Sequence, residues 1–123
     1  MSKIIQAVNS MISNSHLIDS AMYGHSNELF FVYKNKYKWS IKQQDDGNYS
    51  LWFYPGDVKI QDLVHIEGHE WEAIPMIHYS TKELPQREAI ESFNELYRIV
   101  KEKVFGMDQV LDEIIKDMDD LPF

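Results

Sequence analysis

Over residues 3–12 the apolar positions Ile4, Ile5, Val8, Met11 and Ile12 recur at i, i+1, i+4, i+7 and i+8, the stripe of a short amphipathic helix. The pattern then dissolves. Residues 13–27 mix Leu17, Ile18, Ala21 and Met22 with Ser, Asn and Gly in neither the helical nor the strand period, so no element is assigned there. From Glu28 the period becomes two: Leu29, Phe31 and Tyr33 alternate with Phe30 and Val32. Lys34-Asn35-Lys36 forms a tight connection to Tyr37, Trp39 and Ile41, which alternate with Lys38, Ser40 and Lys42. A polar run from Gln43 to Asn48, with Gly47 able to take positive φ, leads to Tyr49, Leu51 and Phe53 alternating against Ser50, Trp52 and Tyr54. This pattern predicts a three-stranded antiparallel meander over residues 28–33, 37–42 and 49–54.

Pro55-Gly56 closes the third strand, because proline has no N–H for the ladder and glycine favours a turn. Between Asp57 and Gly68, the spacing of Val58, Ile60, Leu63, Val64 and Ile66 suits either a short helix or an irregular crossing. Residues 71–79 predict a fourth strand, which Pro75 confines to an edge or a bulge. The strongest periodicity follows, with Ala89, Ile90, Phe93, Leu96, Tyr97, Val100 and Val104 on one stripe of a helix over 86–105. Ser80 with Glu83 fits a capping box, Pro85 fits the first helical position, and Gly106 fits the stop. A last short helix carries Val110, Leu111, Ile114, Ile115 and Met118, and residues 119–123 read as an acidic tail. The expected fold is α+β, one domain over residues 1–123. Its four-stranded, mainly antiparallel sheet, a meander of three strands plus a fourth, packs against the long C-terminal helix, with short helices at either end.

The distribution of aromatics changes this picture. If Leu29, Phe31, Tyr33, Tyr37, Trp39, Ile41, Tyr49, Leu51 and Phe53 face the long helix, then Phe30, Val32, Trp52 and Tyr54 turn to the other face, where Ile74 and Met76 join them. Such a patch rarely stays wet on a monomer. Either the first helix covers it or another chain does, and these six residues are the expected interface of a homodimer or of a protein partner with a basic surface.

Composition and charge narrow the partners. With 44% apolar residues, 26% charged, five Gly and four Pro, the chain has the makings of a packed core and none of low complexity. Zero cysteines exclude disulfides, thiolate metal sites and cysteine nucleophiles, and fit a cytoplasmic protein. The start lacks a signal-peptide core, and no apolar run approaches a membrane span, so a soluble chain without a membrane partner is expected. The net charge is −8, positive only over residues 28–42, which disfavours a phosphate backbone. Lys36, Lys38 and Lys42 share a face while Tyr37 and Trp39 point away, so nucleic-acid binding is not expected either.

Candidate chemistry is sparse. His65 and His69 flank Ile66-Glu67-Gly68, but the glutamate stands one position late for a zinc-peptidase motif and Gly68 breaks its helix. In an extended segment His65, Glu67 and His69 would share a side and seat a metal if Asp62 or Glu70 came near; the plainer reading is a solvated loop. His16, His25 and His78 have no identifiable partner. The paired carboxylates Asp45-Asp46, Asp112-Glu113 and Asp119-Asp120 read as solvated charge. No phosphate-binding loop, dinucleotide glycine triad or G-x-S-x-G stretch occurs. The sequence therefore assigns no catalytic, cofactor or metal residue. It predicts a small, acidic, non-enzymatic binding or self-associating protein, such as an inhibitor, neutralising or adaptor protein. The alternative is a small hydrolase or metal-binding enzyme using histidines and carboxylates of residues 57–78.

Overall fold

The period-two segments pair in chain order in the computed structural model, which describes residues 2–119. Strands β1 (Ile18–Tyr23), β2 (Leu29–Tyr33), β3 (Tyr37–Gln43), β4 (Tyr49–Tyr54) and β5 (Ile77–Ser80) form one antiparallel sheet in the order β1-β2-β3-β4-β5. Trp39 stands opposite Phe31 and Phe53, while Ser40 stands opposite Phe30 and Trp52. Alternation thus assigns every side chain of the central strands to the face its sequence parity predicts. Lys34 (φ 56) and Asn35 (φ 55) make the β2–β3 turn left-handed at both central residues, the geometry that suits the twist of a tight hairpin.

The sheet has five strands, where four were expected. Residues 18–23, which keep no period, are β1. Its register against β2 shifts between Asp19 and Met22, and Ser20 sits at φ 54. An extra residue reverses the alternation midway, so no constant period survives in the sequence. The other difference lies at β5. Most of residues 71–79 is not strand, because Gly68–Ala73 winds into a 3-10 helix whose reciprocal Glu67 and Glu70 contacts form a capping box. Only Ile77–Ser80 reaches β4.

One face of the sheet carries α1 (Lys3–Ser13) and α3 (Gln86–Val104), both close to their expected bounds. Ile5, Val8, Phe93, Leu96 and Val100 lie fully buried against Leu29, Phe31, Ile41 and Leu51. Helix α3 starts after Pro85, and Ser80 instead caps the 3-10 turn Thr81–Glu83, accepting the Lys82 N–H at 3.2 Å. Buried Thr81 accepts the Tyr49 N–H at 3.0 Å and donates to Asn48 Oδ1 at 2.8 Å, which fixes the end of β5 to the β3–β4 turn. The final helix α4 (Met107–Asp119) follows Gly106, whose φ of 63 ends α3. The remainder of the expected acidic tail, residues 120–123, lies outside the described residues.

The opposite face is not covered by α1, which packs with α3 on the first face. The crossing between β4 and β5 covers it, with the single turn α2 (Ile60–Leu63) at its centre. Ile60, Leu63 and Val64 are buried with Phe30 and Tyr54, and Trp71 stacks on Phe30 with ring centroids 6.4 Å apart. The i, i+3, i+4 spacing of those aliphatics gives one helical turn, enough to seat them on the two rings. Lys38 ties the crossing down by donating from Nζ to the Gly56 and Val58 carbonyls, the latter at 2.6 Å.

If this crossing is a true second core, Leu63→Ala should lower unfolding free energy in urea by about 2–4 kcal/mol without changing the slope. A loss under about 0.5 kcal/mol, the scale of surface substitutions, would show that the crossing is only draped over the sheet.

Candidate functional site

The six residues expected at an interface share the second face: Phe30, Val32, Trp52 and Tyr54 by strand parity, and Ile74 and Met76 from the irregular crossing. Phe30 is 1% and Tyr54 3% exposed, so neither is open to a partner; Val32, Trp52, Ile74 and Met76 are half-buried against them. Phe30 and Tyr54 are thus covered within the chain. Trp52 keeps one ring contact at the margin, stacking on His78 at 4.8 Å and 17°.

A polar cluster lies inside this apolar layer. Gly24 passes so close to Phe30 that a Cβ there would stand 2.3 Å from its ring, and Ser26 (φ 57) and Asn27 (φ 64) then turn the chain through two left-handed residues onto β2. The turn delivers the Glu28 side chain to the second face. Glu28 Oε2 accepts hydrogen bonds from Ser40 Oγ and from the Tyr54 hydroxyl at 3.1 Å, and those two hydroxyls lie 2.7 Å apart. Burial raises the Glu28 carboxyl above its ordinary 4.5, opposed by the two hydroxyl donors and by the Lys42 and His25 charges. Burial and the Glu28 charge together push the Tyr54 hydroxyl up, so it stays protonated and remains a donor. Sequence parity held the clue to this cluster, because Glu28 shares the face of Phe30 and Val32.

The histidines and carboxylates of residues 57–78 do not converge. His65, Glu67, His69 and Glu70 are all exposed, and no group of three or more metal-ligating side chains comes together among the described residues. Glu67 and Glu70 serve the capping box, and Glu67 Oε1 also lies 3.5 Å from His25 Nε2. His16 and His78 are likewise exposed.

Among the described residues, most of the exposed large apolar side chains lie on α4. Val110, Leu111, Ile114, Ile115 and Met118 are 40, 49, 58, 60 and 70% exposed. Its charged positions are acidic but for one: Asp108, Asp112, Glu113, Asp117 and Asp119 against the single Lys116. Near its base, Phe105 meets Tyr23 edge-on at 5.7 Å, and both rings are more than a third exposed. Despite that apolar stripe, no helix among the described residues is long and apolar enough to cross a membrane.

These elements define an α+β protein: a five-stranded antiparallel meander, roofed on one face by two helices and on the other by an irregular crossing, with an acidic amphipathic helix displayed at its C-terminal end. No protein-family model, curated protein or solved structure matches this chain.

A carboxyl whose folded pKa exceeds its unfolded value binds its proton more tightly when folded, so its ionisation removes stability as pH rises between the two values. Glu28→Gln abolishes that ionisation and still offers an oxygen to Ser40 and Tyr54. In melts followed by circular dichroism the variant should outlast wild type in mildly alkaline buffer, and the gap should close as pH falls toward 4.5. A gap that does not change with pH would show that burial imposes no ionisation penalty at this site.

Proposed function

We propose that this is a non-enzymatic binding protein, an inhibitor, neutralising or adaptor protein, that presents α4 to a partner protein whose apolar groove is bordered by Lys and Arg. The observation that carries this reading is the exposed row from Val110 to Met118. Five apolar side chains left 40–70% exposed represent roughly 4–6 kcal/mol of unrealised burial, enough to drive a helix into a groove. The rim is argued from charge. Asp108, Asp112, Glu113 and Asp117 would meet basic groups with gain, on a chain whose net charge is −8. Two copies of α4 laid together would instead set acid against acid around one Lys116 each, so self-association is the weaker reading. Cys-free composition suits the cytoplasm as the setting.

A photo-crosslinking residue at Ile115, compared with one at exposed Glu91 of α3, tests this in the source cell. The expected result is one foreign protein joined through Ile115 alone, its linked peptides falling beside Lys or Arg in an apolar groove. Double substitution Ile114→Asp, Ile115→Asp should abolish the adduct and shift the melting temperature by no more than about 2 °C, because both positions are exposed. A self-adduct with a dimer mass by light scattering, or equal labelling from both positions, would overturn it.

A further inference from the structure

Glu28 is an acid partly buried among apolar side chains, and only one of its oxygens is hydrogen-bonded to the two hydroxyls beside it. Oε2 takes both hydroxyl donors, whereas no donor among the described residues reaches Oε1. A cleft of about 500 Å³ opens over the carboxylate, between the sheet and the 3-10 helix Gly68–Ala73. Trp52 and Trp71, Lys42 and Gln44, and His25 and Glu67 stand around it. Gln44 Nε2 donates to Ser50 Oγ at 3.0 Å, which leaves its carbonyl oxygen as an acceptor on the wall. Ser26, the first of the two left-handed residues before β2, forms part of the same rim, where left-handed backbone outside glycine often marks a ligand clamp.

We propose that this cleft binds the guanidinium group of arginine, with Glu28 as its counter-ion and the indoles of Trp52 and Trp71 as its walls. The titratable groups facing the space are Glu28, Glu67, Lys42 and His25. Two carboxylates outweigh one ammonium, and His25, which adds charge only when protonated, lies 3.5 Å from Glu67. A planar, weakly hydrated guanidinium lies flat on an indole while its edge donates to Glu28 Oε1 and to an amide oxygen. A compact, strongly hydrated ammonium gains less from those faces. The site is independent of α4: it faces the crossing on the second side of the sheet, and either site works or fails without the other.

The test is titration of the full chain with N-acetyl-arginine amide, followed by tryptophan fluorescence and calorimetry in mildly alkaline buffer. N-acetyl-citrulline amide serves as the uncharged isostere and N-acetyl-lysine amide as the ammonium control. Saturable binding of the arginine probe is expected, about tenfold or more weaker for citrulline and for Glu28→Gln. Lys42→Gln should tighten it a few-fold, by removing the repelling charge. Capped arginine binding better than free arginine assigns the ligand to a polypeptide; the reverse assigns it to the free amino acid, and both retain the guanidinium site. Equal affinity for citrulline, unchanged affinity in Glu28→Gln, or no saturable signal overturns the proposal. Should Glu28→Gln fail to fold, an affinity in Lys42→Gln no higher than wild type overturns it.

Discussion

Apolar side chains on both faces of one sheet set the terms for the whole molecule. Leu29, Phe31, Ile41 and Leu51 need one cover and Phe30 and Tyr54 need another, and all six end fully or nearly fully buried. The first cover is conventional, because α1 and α3 carry helical stripes that match a sheet face. The second is made from the long stretch between β4 and β5, which lies over the sheet before returning to pair β5 antiparallel beside β4. It is a cover of low regularity, one turn of α-helix and one 3-10 helix, so its backbone groups are satisfied piecemeal. Lys38 supplies donors to two carbonyls, and the Glu67–Glu70 box caps the 3-10 helix.

An irregular roof leaves gaps that a helix would close. The cleft over Glu28 is such a gap, and the cluster beneath it is a polar network in low-dielectric surroundings. Ser40 and Tyr54 satisfy half of the carboxylate, which limits the penalty without removing it. Packing alone would favour a neutral or apolar side chain at this position. Glu28 is therefore the residue in the second core whose chemistry is least accounted for by the fold.

Helix α4 presents the opposite case. Its stripe is as regular as that of α3, yet α3 buries Ala89, Phe93, Leu96 and Val100 while α4 buries nothing comparable. The difference lies in the turn at Gly106, which points α4 away from the sheet whose first face α1 and α3 already occupy. An amphipathic pattern specifies that a helix has an apolar side. It does not specify where the matching surface is, in the same chain or in another.

Much of the fold could be read from the residues. Strict alternation in 29–54 fixed three strands, their hairpins and the face of each side chain, and the 3.6-residue stripes fixed α1 and α3 within one or two positions and the apolar side of α4. These are local properties, written in the spacing of neighbours, and the same spacing put Phe30, Val32, Trp52 and Tyr54 on one side; Ile74 and Met76, read as part of a strand, reach that side from the crossing instead. Strand β1 escaped because its register shift breaks the period, and the 3-10 helix at Gly68–Ala73 escaped because a capping box with apolar residues at mixed spacing resembles a strand interrupted by proline. The cover of the second face, the meeting of Glu28 with Ser40 and Tyr54, and the exposure of α4 depend on contacts between residues far apart in the chain. Periodicity determined which surfaces are apolar; only the tertiary structure decided which of them the chain would cover itself, because that choice is made by the path of the backbone and not by the order of its side chains.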